Sequence, residues 1–158
     1  MIGFFDSGIG GLTIIEPVHE LLPMYDTLYL GDTARAPYGN KSHEELVKFT
    51  IEGSAWLFER GCKLVIVACN SASASALREV QQGWLRKMHP DKRILGIIRP
   101  TVELLASADY KNIVVFSTAT TKNSRAYVHE FKKINPALNI ISHACPNWGP
   151  MIEQGFAG

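Results

Sequence analysis

The chain has 158 residues, enough for one domain or for one domain and part of another. Its net charge of +1 gives no reason to expect a nucleic acid or a membrane surface as partner, and no apolar run approaches the roughly 20 residues that cross a bilayer. The three cysteines do not have the spacing of metal ligands, and the N-terminus lacks the features of a signal peptide. We therefore predict a cytoplasmic protein with at least one free thiol and no metal site.

Apolar runs alternate with helical patterns along the chain. Strands are predicted over residues 2–5, 27–30, 64–68, 94–98, 112–116 and 139–143, and helices over residues 10–22, 42–60, 71–85, 100–107 and 122–134. Pro17 predicts a kink or a late start in the first helix. Ser42 and Glu45 have the spacing of a capping box, and Gly61 is placed to end that second helix. The alternation predicts an α/β fold with a doubly wound parallel sheet, and residues 96–101 are the best candidate for a domain crossing.

Cys69 lies where an apolar strand stops and a helix begins. The carboxyl ends of strands in open α/β sheets are where ligands bind. A helix N-terminus favours negative charge and hence thiolate over thiol, so this position predicts a thiol that can act as a base. A buried cysteine that merely packs as a small hydrophobic residue is the alternative. Asn70 and Ser71 place neutral hydrogen-bonding groups beside the thiol.

The loop at residues 6–11, Asp-Ser-Gly-Ile-Gly-Gly, follows the first strand. Its glycines allow a ligand to approach backbone amides at the start of a helix, an arrangement suited to an anionic group. Asp6 would repel a phosphate but could orient an ammonium group. The glycine spacing is not that of a dinucleotide site, and a tight turn without any ligand is the alternative.

Two further loops follow strands. In residues 31–39, Pro37 and Gly39 bracket Tyr38 in a rigid turn, so that the ring either covers a small polar pocket or is an exposed aromatic. The hydroxyl-rich residues 117–121 either bind a carboxylate or cap the next helix, with Thr121 or Ser124 as the expected cap. Together the loops predict a site for a small zwitterion. Backbone amides and hydroxyls would hold its carboxylate, Asp6 or a neighbour would face its ammonium group, and a thiol would face carbon.

The motifs D-S-G-I-G-G, G-D-x-x-x-x-P-Y-G and A-C-N-S-A-S, in this order and spacing, resemble glutamate racemase. That family supplies D-glutamate for peptidoglycan without a cofactor. Segments 96–100, 117–124 and 144–155 resemble further motifs of the family, so the resemblance covers essentially the whole chain. It implies the two-lobed α/β fold of the aspartate/glutamate racemases, with residues 1–98 as the first lobe and residues 99–158 as part of the second.

The resemblance also implies roles for individual residues. Cys69 would be one of two catalytic thiols that exchange a proton with Cα from opposite faces, while Asp6 tunes the thiol and, like Ser7, contacts the substrate. The remaining implied substrate-binding residues are Pro37, Tyr38, Gly39, Asn70, Ser71, Thr118, Thr121 and Glu153. The implied partner is glutamate, without cofactor or metal, and a homodimer is compatible with the family.

The family's second thiol lies in a Gly-Cys-Thr-His motif, which these 158 residues do not contain. Neither Cys62 nor Cys145 matches it, and we interpret both as structural. The 158-residue chain is therefore expected to be a truncated racemase, about the first three-fifths, that does not racemise glutamate alone. It is also expected to expose an apolar edge that favours self-association.

Three other functions remain open at this point. The first is a related racemase acting on aspartate or another amino acid. The second is a non-catalytic protein that keeps the amino-acid pocket for binding or interaction. The third, a nucleotide-binding domain, is disfavoured by the glycine spacing and by Asp6 at the phosphate position.

Overall fold

The structure is a computed structural model that describes residues 1–153 and 155. Its strands are β1 (Ile2–Asp6), β2 (Thr27–Gly31), β3 (Leu64–Val67), β4 (Arg93–Gly96), β5 (Asn112–Ser117) and β6 (Asn139–Ala144). Its α-helices are α1 (Leu12–Leu21), α2 (His43–Glu59), α3 (Asn70–Ser75), α4 (Leu77–Val80), α5 (Arg86–Met88), α6 (Ile98–Ala106), α7 (Ala119–Ser124), α8 (Ala126–Ile134) and α9 (Trp148–Glu153). A 3-10 turn covers Tyr38–Asn40 and a π-helical turn covers Gln81–Leu85. Within the described ranges, no helix has both the length and the apolar character to cross a bilayer.

The first sheet is parallel, with strand order β2-β1-β3-β4. Phe5, Val65 and Val67 point to the face that packs against α2 and the helical stretch after β3, where they form the larger core. The opposite face carries α1, whose His19 contacts Thr27 of β2. Helices on both faces of a parallel sheet confirm the doubly wound arrangement.

The second sheet pairs β5 with β6, again in parallel. One of its faces packs on α6 and α8 and forms a second core around Val102, Phe131 and Leu138. Ile98 belongs to this second core, because β4 ends at Gly96 and α6 begins two residues later. The predicted strand over residues 94–98 is therefore too long at its carboxyl end.

Several local predictions are confirmed. Ser42 and Glu45 form a complete capping box at the start of α2, and Gly61 ends that helical region with a φ of +91°. Pro17 is accommodated within α1, which starts two residues later than residue 10, the predicted first position.

Two predicted helices are divided in the structure. The stretch after Cys69 continues to Met88 but changes to a π-helical turn at Gln81–Leu85, around Gly83, whose missing side chain weakens helical preference. The helix predicted over residues 122–134 is broken at Arg125, which has a φ of 56°. A left-handed arginine is uncommon, so the hydrophobic period alone gives no sign of this break.

Each sheet leaves part of one face uncovered. Leu95 of β4 is 52% exposed, and in β5 and β6 the outward Val114, Phe116 and Ile141 are 49%, 56% and 51% exposed. Trp148 packs against Phe116 with ring centroids 5.2 Å apart but covers only one end of this second face. Contiguous apolar surface of this kind is typical of an interface or of an aggregation site.

We predict that the 158-residue polypeptide self-associates at micromolar concentration and that Ile141→Lys weakens this association several-fold, because the charge lies in the middle of the uncovered second face. Sedimentation velocity over a concentration series measures the effect. The control is Leu104→Lys, since Leu104 is 73% exposed on α6, outside that sheet face. A wild-type chain that stays monomeric throughout the series would contradict the prediction.

Candidate functional site

Asp6 organises the loop that joins β1 to α1. Its Oδ2 accepts hydrogen bonds from the backbone N–H groups of Gly8 at 3.0 Å and Gly11 at 3.2 Å. The hydroxyl of Tyr29 donates to the Gly8 carbonyl at 2.8 Å and also lies 3.4 Å from Asp6 Oδ2. The sequence predicts that the backbone amides of this loop bind the carboxylate of a ligand. In the structure, two of these amides instead donate to the carboxylate of Asp6. The prediction that these amides hold the ligand is therefore wrong for Gly8 and Gly11.

Gly11 shows why this loop requires glycine. A Cβ added there would lie 2.9 Å from the Cβ of Asp6 and 3.0 Å from both the Cβ of Ala68 and the hydroxyl of Tyr29. The start of α1 thus lies directly against the strand ends. This close approach keeps Asp6, which is only 6% exposed, at the carboxyl edge of the sheet.

Cys69 is the N-cap residue of α3 and is 5% exposed. Its Sγ lies 3.5 Å from Oγ of Ser7, so the loops after β1 and β3 meet at this point. Burial and, second, the negative charge of Asp6 raise the pKa of the Cys69 thiol, while hydrogen bonds from the Ala72 N–H, the Ser7 hydroxyl and the Ser71 N–H act in the opposite direction. The predicted preference for thiolate at the helix N-terminus is therefore wrong here, because desolvation outweighs the favourable dipoles.

The turn after β2 places its tyrosine in the core. Tyr38 is 1% exposed, and its ring lies 6.2 Å from that of Phe5 and 5.5 Å from that of Phe49, between centroids. Its hydroxyl donates to Asp32, and burial together with Asp32 raises the tyrosine pKa. The interpretation of Tyr38 as an exposed turn aromatic is therefore wrong. Pro37 is exposed beside it.

Two hydroxyl contacts join the first-sheet loops to the start of α7. Ser71 Oγ and Thr118 Oγ1 are 2.9 Å apart, and the Thr120 hydroxyl donates to the Gly39 carbonyl at 2.9 Å. Thr118 Oγ1 also accepts from the Thr121 N–H at 3.2 Å and donates to Thr121 Oγ1 at 3.1 Å. Thr118, Thr121 and Ser71 thus come together, as expected of neighbouring strand-end loops.

The helix caps differ from the prediction in one respect. Thr118 is the N-cap of α7, so the assignment of that role to Thr121 is wrong. Thr121 is instead a buried residue of the first turn, and Ser124 Oγ accepts the N–H of Ala126 at the start of α8. The extended backbone of Thr118 before α7 is what favours it as the cap.

Two site tyrosines were not identified from the sequence. Tyr29 lies two residues before the end of β2, on the same sheet face as Asp6. Because alternate residues of a strand share a face, the strand pattern could have identified Tyr29. Tyr127 donates its hydroxyl to Oδ1 of Asn70 at 2.7 Å. No sequence signal pointed to Tyr127, because its position depends on the helix break at Arg125.

The remaining predicted residues lie apart from this group or outside the description. The side chain of Glu153, at the end of α9, is outside the described residues. Cys62 is fully buried just before β3, at the opposite end of that strand from Cys69. Cys145 follows β6 and donates its N–H to the Ser117 carbonyl at 2.7 Å. Across residues 1–153 and 155, no group of three or more His, Cys, Asp or Glu side chains is placed to hold a metal ion.

A cavity of about 270 Å³ lies beside the end of β2, lined by Asp32, Arg35, Trp56 and their neighbours. None of its lining residues is Asp6, Ser7, Cys69 or a residue of α7. The convergence of a thiol, a carboxylate and hydroxyl groups from several loops carries more chemical information than this cavity, so we take that convergence as the candidate site.

No model of a protein family matches the chain. It is similar to the glutamate racemase of Geobacter metallireducens, with 40% identity over 156 residues that cover 98% of this chain and 56% of that protein. Among solved structures it is similar to glutamate racemase from Francisella tularensis in complex with D-glutamate, with 38% identity, a TM-score of 0.88, and coverage of 99% of this chain and 57% of that one. The Bacillus anthracis isoform RacE1 matches with 31% identity, a TM-score of 0.89, and coverage of 99% and 57%.

The chain is thus similar to glutamate racemases over almost its whole length, and the structural matches bear out the expected fold class. The chain spans about 56 to 60% of the length of the curated relatives that it matches.

We predict that Asp6→Asn lowers the pKa of Cys69, because it removes the negative charge that, after burial, disfavours the thiolate. One pKa unit corresponds to about a tenfold change in the thiolate fraction, so iodoacetamide labelling at pH 8 should accelerate by up to about tenfold. Peptide mass spectrometry separates Cys69 from Cys145, which serves as an internal reference. The control is Asp26→Asn, an exposed carboxylate in the loop before β2. An unchanged or slower rate in Asp6→Asn would contradict this account.

We predict that Gly39→Ala weakens the contact between the first-sheet loops and α7. The added Cβ would lie 2.8 Å from Cγ2 and 2.9 Å from Cβ of Thr118. The free energy of unfolding should fall by about 1–3 kcal/mol, the usual cost of overpacking. Urea denaturation measures this change. In the control Gly83→Ala, nothing lies within 4 Å of the added atom, and its helical position should leave stability equal or slightly higher. Equal stability of the two variants would show that the contact is not tight.

Proposed function

We propose that this homologue of the glutamate racemases carries one half of an amino-acid racemase site and transfers a proton between Cys69 and the Cα of glutamate. The observation that carries the proposal is the position of the Cys69 thiol. It is buried at a strand end, 3.5 Å from Ser7 Oγ and close enough to Asp6 for that charge to raise its pKa. The solved relative from Francisella tularensis holds D-glutamate, which supports a small amino acid as ligand.

The polar groups around Cys69 suit the two kinds of charge on an amino acid. We assign the ammonium group to the neighbourhood of Asp6, whose carboxylate is buried beside the thiol. We assign the carboxylates to the hydroxyls of Ser7, Ser71 and Thr118 and to the amide of Asn70, all of which can donate hydrogen bonds. Thr121 supports Thr118, while Pro37, Tyr38 and Gly39 shape the adjacent turn.

The raised pKa of Cys69 has a chemical consequence for this reaction. A thiol that stays protonated at neutral pH can donate a proton but is a poor base. A bound ammonium group near Asp6 would offset the negative charge that disfavours the thiolate, and so would lower the pKa of the thiol when the substrate is in place. Asp6 would act with Cys69 in this sense, as the residue that couples substrate binding to thiol ionisation.

Inversion at Cα requires a second acid–base group on the opposite face of the substrate. The family resemblance assigns this role to a thiol in a Gly-Cys-Thr-His motif, a sequence not found in these 158 residues. Cys62 does not serve as this group, because it is buried at the far end of β3. We therefore propose that the site around Cys69 performs proton exchange on one face of Cα only.

The organisation that accompanies this site is also a proposal. Two lobes, residues 1–98 and residues 99–158, would meet at the contact between the hydroxyls of Ser71 and Thr118. Ile98, at the start of α6, packs in the core of the second sheet, which supports a boundary just before this residue. A cytoplasmic location is supported by the three free cysteines, since disulfides are rare in reducing compartments. Self-association through the uncovered sheet faces would be compatible with a homodimer.

We predict that the 158-residue polypeptide exchanges the Cα proton of one glutamate enantiomer with D₂O without inverting it. A single base removes and returns the proton on the same face, so exchange should be confined to either L- or D-glutamate. Proton NMR of the two enantiomers, followed by chiral chromatography, measures exchange and inversion separately. Because burial raises the pKa of Cys69, the rate should increase as the pH rises above neutral.

Two controls make this test specific. Cys69→Ser should abolish exchange, whereas Cys145→Ser should leave it unchanged. Aspartate in place of glutamate tests the related-racemase alternative, which predicts faster exchange of aspartate. Exchange of neither amino acid, or exchange that survives Cys69→Ser, would contradict the proposed proton transfer; binding without exchange would favour a non-catalytic amino-acid-binding protein. Inversion would show that a second acid–base group is present within the chain.

A further inference from the structure

Tyr127 reaches from the second core to the candidate site. Its ring stacks on that of the fully buried Phe131, with centroids 6.5 Å apart, and packs against the second core. Its hydroxyl donates to Oδ1 of Asn70 at 2.7 Å, and Asn70 directly follows Cys69. One side chain therefore connects the packing of α8 to the first residue of α3.

The backbone around Tyr127 is held in an unusual conformation. Arg125 adopts a φ of 56°, which separates α7 from α8 and turns the chain immediately before Tyr127. Ser124 stabilises this turn, because its Oγ accepts the Ala126 N–H at 3.2 Å and donates to the Thr121 carbonyl at 2.7 Å. A left-handed conformation at a non-glycine residue costs of the order of 1–2 kcal/mol, and such strain concentrates at functional sites.

In the structure the Asn70 amide turns its Oδ1 toward the Tyr127 hydroxyl. A primary amide has an acceptor oxygen and a donor nitrogen at nearly equal positions, and rotation by half a turn exchanges them. With Oδ1 held by a phenol, Nδ2 points away from Tyr127 and remains the group that Asn70 offers to a ligand. A carboxylate accepts hydrogen bonds from Nδ2 but would be repelled by Oδ1.

Tyr127 is suited to hold this direction. Its hydroxyl is a donor only while protonated, and burial raises the pKa of Tyr127 above its ordinary value of 10.0. It therefore remains a donor across the neutral range. Its ring is fixed by Phe131 and the second core, so the hydroxyl is presented from a packed element rather than from a mobile loop.

We propose that Tyr127 is a positioning residue that orients the amide of Asn70, so that Asn70 presents its N–H donors to a carboxylate of the bound amino acid. This inference rests on the proposed function, since it assigns a specificity-determining contact in that same site. Tyr127 itself does not contact the reacting atoms; it acts through Asn70 and makes ligand binding depend on the packing of α8.

A double-mutant cycle tests this role. Tyr127→Phe removes one oxygen atom and should raise the Kd for glutamate about five- to tenfold, the usual range for losing one oriented hydrogen bond. If the effect acts through Asn70, then Tyr127→Phe should change the Kd less than about twofold in an Asn70→Ala background. Isothermal titration with L- and D-glutamate provides the four dissociation constants, and circular dichroism verifies that each variant is folded.

The matched control is Tyr110→Phe, which removes a phenolic oxygen from a tyrosine that is 55% exposed just before β5. Its Kd should stay within about twofold of that of the wild type. An unchanged Kd in Tyr127→Phe would overturn the inference. The same would hold if Tyr127→Phe weakened binding equally with and without Asn70, since the effect would then be structural.

A second measurement does not depend on glutamate. The Asn70 side-chain amide should give two well-separated proton signals in a ¹H–¹⁵N spectrum, and Tyr127→Phe should shift and broaden them while Tyr110→Phe does not. If the wild-type chain binds no glutamate, the proposed function fails, and these signals still decide whether Tyr127 orients the amide. If glutamate binds but the signals are the same in Tyr127→Phe, the positioning role alone is wrong.

Discussion

The carboxylate of Asp6 is the group on which the candidate site depends. By accepting the N–H groups of Gly8 and Gly11, it fixes the turn between β1 and α1 without help from a ligand. The same carboxylate raises the pKa of Cys69 and lies within reach of the Tyr29 hydroxyl. A single negative charge, held where strands β1 and β3 end, therefore fixes the shape of the first loop and adds to the effect of burial on the thiol pKa. The glycines of this loop serve the close packing of Asp6 rather than a bound phosphate.

Contact between the two halves of the site depends on small hydroxyl side chains. Ser71, Thr118 and Thr120 bridge loops that belong to different sheets, and Gly39 allows α7 to approach closely. Each neutral hydrogen bond of this kind contributes about 1 kcal/mol net, so the contact is specific in geometry but modest in strength. Two separate cores, around Phe5 and around Phe131, provide most of the stability on either side. The candidate site thus lies where loops supported by these two cores meet.

Much of this arrangement could be predicted from the sequence because it follows from local patterns. The apolar runs that became strands, the capping box of Ser42 and Glu45, and the convergence of strand-end loops all have short-range signatures. What could not be predicted depends on tertiary environment. Burial determines that the pKa of Cys69 is raised. Core packing determines that Tyr38 is buried, and the left-handed conformation of Arg125 determines that Tyr127 contacts Asn70. Most residues of the candidate site could therefore be predicted from the sequence. The ionisation of Cys69 and the contact of Tyr127 with Asn70 could not.

The raised pKa of Cys69 also bears on how such a site survives oxidants. Peroxides attack thiolates far faster than protonated thiols, and the resulting sulfenic acid can proceed to irreversible products. A thiol that is 5% exposed and whose pKa is raised is therefore expected to react slowly with peroxide. Burial, the main cause of the raised pKa of Cys69, thus also protects its sulfur from oxidation.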